Sequence, residues 1–278
     1  MRIAYLGPEG TFSHEALVGV AGDSGHELVA LPTLHDTIMA VHDGSVDRAF
    51  VPIENSLEGS VNATLDTLAV ETDDVRIVGE AVHRVRHCLI ARERIAEDSI
   101  ETVVSHPQVT AQCARFLRTR LPDAAVLPAN STADAVRQVA ESSAPWAALG
   151  NRLSASLYGC EILEDGVEDM PENETRFVWL GQGRTGGSGP WKTSVVFWGA
   201  GDDAPGWLVR CLSEFAFRGV NLTMIESRPR RRGLGHYMFF ADLEGRDTDA
   251  EVSGAIEAVR GQTERLRVIG SYPAASGG

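Results

Sequence analysis

The chain has 278 residues, 43% of them hydrophobic and 23% charged, with a formal net charge of −14; this composition is globular and excludes disordered, collagenous and coiled-coil proteins. The charge is uneven. Residues 1–190 carry 14 Arg against 28 Asp and Glu, whereas residues 191–278 balance 11 basic with 11 acidic side chains, so nucleic-acid binding by the first part is disfavoured.

Read in chain order, Arg2–Leu6 is a strand, followed by a GPEGTFS loop and a helix over about 14–20. Strands are expected at 47–52, 75–82, 87–91, 102–104, 126–129, 147–149 and 177–180. Helices are expected near 60–68, from Pro107, from Ser131 or Thr132, and near 153–158. This alternation is α/β architecture with helices covering sheets. Beyond it the pattern changes to a strand at 193–198, a helix at 205–218 and strands at 221–227 and 236–243. A helix at 248–260 and a strand at 266–271 close a βαββαβ, ferredoxin-like unit. Between the two parts lies GQGRTGGSGPW (181–191), rich in Gly and polar residues, which reads as a linker. The expected division is therefore 1–181, a linker at 182–191, and 192–273.

Several signals are set aside. Gly181-x-Gly183-x-x-Gly186 follows a strand but opens no helix, so it is linker rather than a nucleotide loop. Gly22-Asp23-Ser24-Gly25 has only His14 upstream, against the chain order a serine protease of that type needs. Lys192 is the single lysine among 25 basic residues. Its surroundings fit neither a Schiff base nor a phosphate loop, which makes pyridoxal-phosphate enzymes, lysine aldolases and P-loop NTPases improbable. His83 and His87 stand four apart without a third ligand nearby, and the four Cys lack CxxC spacing, so no metal is expected. Arg228, Arg230, Arg231 and Arg232 read as a solvated hairpin tip. No apolar run approaches the roughly 18 residues of a membrane helix, and the N-terminal apolar stretch is too short for a secretory signal. The expectation is a soluble cytoplasmic protein.

One device recurs in the first part: a strand ends, small polar residues follow, and a helix begins. It occurs at Thr11–Ser13, Glu54–Ser56, Ser105–His106 and Asn130–Thr132. Such residues are ordinary N-caps. Four helix starts at one edge of a sheet would also offer unpaired N–H groups and positive dipole ends to an anion without any lysine. The joint reading is a carboxylate site at the carboxyl ends of strands. Arg176 is a further candidate clamp for a carboxylate, set against an ordinary surface arginine.

The motifs GPEGTFS (7–13), VPIENSLEGSV (51–61), SHPQ (105–108) and NETRF (173–177), in that order, resemble the prephenate dehydratase family, and GWLVRCLSEFAFRGVNLTMIESRP (206–229) resembles the ACT regulatory domain attached to it. The resemblance implies a two-lobed α/β catalytic domain like type II periplasmic binding proteins, plus a C-terminal ferredoxin-like βαββαβ ACT domain. The implied activity is conversion of prephenate to phenylpyruvate, CO2 and water by a carbon–oxygen lyase without cofactor or metal. It serves phenylalanine biosynthesis, with arogenate as the rival substrate. The implied catalytic set is Thr175, Arg176, Phe177, Glu54, Asn55 and Ser56, with Thr11, Ser13, Ser105, His106 and Gln108 binding substrate. The resemblance also implies feedback by L-phenylalanine in a homodimer or homotetramer, at Gly206, Trp207, Leu208, Asn221, Leu222, Glu226 and Ser227. Trp207 departs from the family's usual alanine, so it is expected either to point outward or to reshape the effector pocket.

Overall fold

The computed structural model describes residues 1–22, 25–199 and 204–275; Asp23 and Ser24 of the discarded Gly22–Gly25 reading lie outside them. The elements run β1 (Arg2–Leu6), α1 (Phe12–Ala21), β2 (Glu27–Leu31), α2 (Leu34–His42), β3 (Arg48–Asn55), β4 (Gly59–Ser60), α3 (Asn62–Val70), β5 (Val75–Arg84), β6 (Cys88–Ala91), β7 (Thr102–Ser105), α4 (Pro107–Gln112) and α5 (Ala114–Arg120). They continue with β8 (Ala125–Pro128), α6 (Thr132–Glu141), β9 (Trp146–Gly150), α7 (Arg152–Tyr158), β10 (Glu161–Asp165), β11 (Glu174–Gln182), β12 (Trp191–Trp198), α8 (Trp207–Ala216), β13 (Leu222–Pro229), β14 (Tyr237–Glu244), α9 (Ala250–Arg260) and β15 (Arg265–Pro273). Most expected elements are present within a few residues. β2, α2, the two-residue β4 and β10 were not foreseen.

The chain divides into two compact units, each assembled from separated segments. The first holds Met1–Thr37, Asn55–Glu58 and His83–Thr175; the second holds Ile38–Glu54, Gly59–Val82 and Arg176–Gly278.

In the first unit a five-stranded sheet has the order β10-β6-β9-β7-β8. β7 runs parallel to both β8 and β9, while β6 and β10 are antiparallel additions. Successive residues of the inner strands serve opposite faces. Leu89, Val103 and Leu149 pack with Val109, Leu117 and Leu121 of α4 and α5 and the turn after them. Ile90, Val104 and Ala148 pack with Ala135, Val136 and Ala155 of α6 and α7. A Cβ on Gly150 would lie 2.6 Å from Val136 Cγ2, so the close seating of α6 on β9 needs glycine there. Because β7, β8 and β9 are parallel, the helices that follow them all begin at one edge of the sheet. β1 and β2 form a parallel pair in the same unit, with Tyr5 opposite Ala30.

In the second unit the strand order includes β13-β14-β12-β15-β5-β11-β3. The last six elements form the expected βαββαβ unit. β12 lies between β14 and β15 in antiparallel register, and α8 and α9 seal one face through Trp207, Cys211, Phe215, Val252, Ile256 and Val259. β15 meets β5 in parallel at Gly270 and Ile77. A Cβ at Gly270 would stand 2.5 Å from the Ile77 carbonyl oxygen, so this approach requires a residue without one. Residues 183–190 carry neither helix nor strand, and Gly181 and Gly183 open no helix.

The basic hairpin tip is not merely solvated. Arg228 makes a two-pronged pair with Asp66 at 3.1 and 3.0 Å, and Arg230 pairs with Glu264 while lying over Trp198. Intramolecular carboxylates within reach of the strand account for the difference.

Candidate active site

A cavity of about 800 Å³ in the first unit lies at the starts of three helices, a size typical of small-molecule sites. Thr11, Phe12 and Ser13 line it from α1, His106 and Gln108 from α4, and Asn130, Ser131 and Thr132 from α6. Three of the four expected loops therefore meet there. Thr11 caps α1 by accepting from His14 N at 3.4 Å, and its own hydroxyl donates to Leu6 O at 3.0 Å. Ser131 caps α6 by accepting from Asp134 N at 3.0 Å. His106 Nδ1 accepts from Gln108 N at 3.3 Å, capping α4. Arg137 and Tyr158 also line the cavity. Arg137, six residues past the cap of α6, was missed; Asp134 and Glu141 hold its guanidinium at 2.5 and 3.1 Å. Burial raises the Tyr158 pKa, so the phenol stays protonated and can donate.

Ser105 does not join this set. It is fully buried and its hydroxyl donates to Leu149 O at 3.0 Å, tying β7 to β9. The structure therefore engages within the sheet a hydroxyl that the sequence reading gave to substrate, and Ser105 does not line the cavity.

The fourth loop leads elsewhere. At the end of β3, Asn55 Oδ1 accepts from the N–H groups of Leu57 and Glu58, both at 3.0 Å. That fixes the amide so that Nδ2 faces the opposite way. Asn55 Nδ2 donates to Thr175 Oγ1 at 2.9 Å, to Asn173 Oδ1 at 2.8 Å and to Glu174 O at 3.2 Å. Ser56 completes the clamp: its N–H donates to Glu174 O at 2.9 Å, and its hydroxyl accepts from Glu174 N at 3.0 Å. Thr175 is 9% exposed. With one lone pair of its oxygen engaged by Asn55, its O–H is available to donate.

Arg176, the next residue of β11, belongs to the second unit. Its side chain is 10% exposed and meets Glu54 at 3.0 Å, Glu80 at 3.1 Å and Asp242 at 2.8 Å. Burial lowers the arginine pKa, but these three carboxylates more than offset it and hold the group charged. Three carboxylates already surround the guanidinium, so it is not a free clamp for a substrate anion. Glu54 is engaged by the same pairing. Phe177, 2% exposed, stacks on Phe50 at 4.8 Å with the rings 6° apart, and so belongs to the core rather than to a catalytic set.

A smaller cavity of about 230 Å³ in the βαββαβ unit is lined by Gly206, Trp207, Leu208, Val209, Tyr237 and Phe239, among others. Gly206 caps α8 in the left-handed region at φ 77°, a conformation that favours glycine. Trp207 points inward: it is 4% exposed, packs on Phe197 and Phe239, and donates from Nε1 to Gln262 O at 2.7 Å. Asn221, Leu222, Glu226 and Ser227 do not line this cavity. Glu226 accepts from Ser60 Oγ at 3.3 Å instead.

A family profile described as prephenate dehydratase matches residues 3–185. A prephenate dehydratase of Mycobacterium tuberculosis is 39% identical over 286 aligned residues, covering 98% of this chain and 87% of that one. The crystal structure of a prephenate dehydratase in complex with L-Phe, from Arthrobacter aurescens, is 36% identical with a TM-score of 0.89, covering 98% of this chain and 90% of that one. A solved structure described as GqqA, a novel type of quorum quenching acylase, is 29% identical with a TM-score of 0.84, over 99% of this chain and 98% of that one. The full-length relationship at this identity, together with the profile match over the first 185 residues, shows that the chain belongs to the prephenate dehydratase family.

Proposed function

We propose that the chain eliminates water and CO2 from prephenate to give phenylpyruvate, with Thr175 as the hydrogen-bond donor to the departing oxygen. The observation that carries this is the Asn55 Nδ2 to Thr175 Oγ1 bond of 2.9 Å, which leaves the threonine proton free to donate. The reaction needs little from the protein. The C–C bond to the ring carboxylate breaks to release CO2, its electron pair enters the ring, and the ring C–O bond breaks at the far side, the oxygen leaving as hydroxide that takes a proton from solvent to become water. Aromatisation supplies the driving force. A threonine hydroxyl is too weak an acid to act as a free proton source, so its part is a positioned hydrogen bond that strengthens as charge gathers on the leaving oxygen. The substrate's carboxylates are assigned to the helix-start donors of the large cavity, with Ser13 and Gln108 beside them; Thr175 does not line that cavity, so the substrate must reach from those donors to its hydroxyl.

The wider reading follows the family. Residues 1–181 form a two-lobed catalytic domain of the periplasmic-binding-protein type, and residues 192–273 an ACT regulatory domain in a cytoplasmic homodimer or homotetramer. L-Phenylalanine is its effector, bound near Gly206–Leu208, with Asn221 from a neighbouring copy a candidate for its polar end. The exposed Val209, Phe217 and Ile225 support pairing of these domains. The inward Trp207 supports a smaller effector pocket than alanine would leave. The deciding experiment is turnover of prephenate and of arogenate, side by side, with and without L-phenylalanine and with added chelator. Phenylpyruvate formed from prephenate and lowered by phenylalanine is the expected result. Turnover of arogenate alone would replace the substrate, and no response to phenylalanine would remove the effector.

A further inference from the structure

The hydrogen bonds around Thr175 continue beyond Asn55 into the interior of the first unit. Asn173 Oδ1 accepts from Asn55 Nδ2 and from Ser56 Oγ, at 2.8 and 3.4 Å, while Asn173 Nδ2 turns to Gln112 Oε1 at 3.5 Å. The same Gln112 oxygen lies 3.0 Å from His87 Nε2, and Gln112 Nε2 donates to Glu58 Oε1 at 3.3 Å. A side-chain amide has two ends of similar shape and opposite polarity, so a row of amides is ordered only if its ends are pinned.

Both ends are pinned here. At one, the backbone N–H groups of Leu57 and Glu58 hold Asn55 Oδ1. At the other, the Glu58 carboxylate accepts only, so Gln112 must turn its nitrogen to Glu58 and its oxygen to His87 and Asn173. His87 Nε2 is then the protonated nitrogen. His87 is 1% exposed, edge-on to Phe12 at 5.1 Å, and its backbone N–H donates to Glu168 Oε2 at 2.9 Å. Its Nδ1 is buried without a hydrogen-bond partner. Burial lowers the imidazole pKa, which keeps it neutral and preserves this tautomer. The sequence alone suggested no role for His87 beyond a rejected metal pair, and none for Gln112.

We propose that Gln112 and His87 are positioning residues for the elimination: His87 N–H fixes the Gln112 oxygen, Gln112 fixes the polarity of Asn173, and Asn173 holds Asn55 so that its N–H engages the lone pair of Thr175. An Asn173 amide turned the other way would set donor against donor at Asn55. Thr175 could then satisfy itself by donating to a neighbour, and its proton would be withdrawn from the reacting oxygen. The inference rests on Thr175 as the donor, and its test separates the two ideas.

The test is steady-state prephenate turnover by Gln112→Met, His87→Leu and His87→Gln, each made in the wild-type and in the Thr175→Ala background, with thermal melts alongside. In the wild-type background Gln112→Met and His87→Leu should lower kcat by roughly 10- to 100-fold, the scale of a misplaced catalytic group, with little change in KM. His87→Gln, which restores an N–H donor, should recover most of the rate lost in His87→Leu. In the Thr175→Ala background the same substitutions should cost almost nothing further, since the group they position is gone. Losses that multiply in both backgrounds, or wild-type turnover by Gln112→Met and His87→Leu, would overturn the proposal while leaving Thr175 in its role. Wild-type turnover by Thr175→Ala would remove both. Should Gln112→Met fail to fold, the two His87 variants pose the same question without touching α4.

Discussion

Thr175 and Arg176 are neighbours on one strand, yet they face opposite kinds of chemistry. Around Thr175 the partners are mostly neutral: the amides of Asn55, Asn173 and Gln112 and the imidazole of His87, with one carboxylate, Glu58, at the far end. Around Arg176 they are ionic: Glu54, Glu80 and Asp242, with Lys192 closing on Glu80 at 2.9 Å and Ser194 donating to Asp242 at 2.5 Å. A network of amides can orient a hydroxyl while keeping its one carboxylate three side chains away along the row of hydrogen bonds. An ionic one is poorly suited to binding a dianionic substrate but well suited to tying together β3, β5, β11, β12 and β14. Strand alternation separates the two tasks within two residues.

The sharpest way to break this contrast is Arg176→Met. It leaves Asp242 buried without the guanidinium at 2.8 Å and leaves Glu80 with Lys192 alone, and removing one partner of a buried ion pair typically costs about 3–5 kcal/mol. Urea unfolding should record a loss on that scale. A rise in KM with an unchanged unfolding midpoint would instead restore Arg176 as a substrate clamp. Thr175→Ala should do the reverse. The protein should melt near the wild-type temperature while kcat falls by about two to three orders of magnitude, the usual effect of losing one transition-state donor. Near-normal kcat would sink the assignment. Asn55→Asp is smaller and more specific. It replaces the N–H that engages Thr175 with an acceptor, so the threonine proton turns inward; a loss of roughly 10- to 100-fold in kcat is expected, measurable beside an Asn55→Ala control that merely vacates the position.

Much of this was legible from residues. Arg2–Leu6 forms a strand as read, and the βαββαβ order of the last part follows its alternation of patterns. The helix starts at Thr11, His106 and Ser131 were visible because capping is local chemistry. β2 and α2 were missed although β2 is an apolar run and α2 places Leu34, Ile38 and Val41 at i, i+4 and i+7. Thr33 Oγ1 also accepts from Asp36 N at 3.0 Å, and that Thr-x-x-Asp spacing is a helix-start signal that was there to be read. Asn173 stood inside a quoted motif, but its direction depends on Gln112, 61 residues away. Arg176 could be ranked as a carboxylate ligand from its type; only the fold reveals that the carboxylates are the protein's own. Long-range polarity of this sort leaves no mark on a linear pattern.

The gentlest test of the contrast is pH, applied through Lys192. Burial by itself would raise the Glu80 pKa, but the hydrogen bond and charge of Lys192, the Ala275 N–H at 3.0 Å and Arg176 together hold it below its ordinary value of 4.5. A carboxyl depressed in the folded state binds fewer protons there than in the unfolded chain. Its stabilising effect is therefore complete above the unfolded value and is lost as pH falls through the folded one. Lys192→Met removes the largest lowering influence and leaves the burial, so the Glu80 pKa rises and the favourable window contracts from its acid side. Acid unfolding, followed by circular dichroism, should move to higher pH in Lys192→Met, while Lys192→Arg should stay near the wild type. Thr175→Ala serves as the opposing control, because its partners are uncharged and its acid midpoint should not move. Coincident midpoints for Lys192→Met and the wild type would show that Arg176 and the Ala275 N–H suffice to support Glu80, and the ionic network would shrink to the carboxylates that arginine reaches.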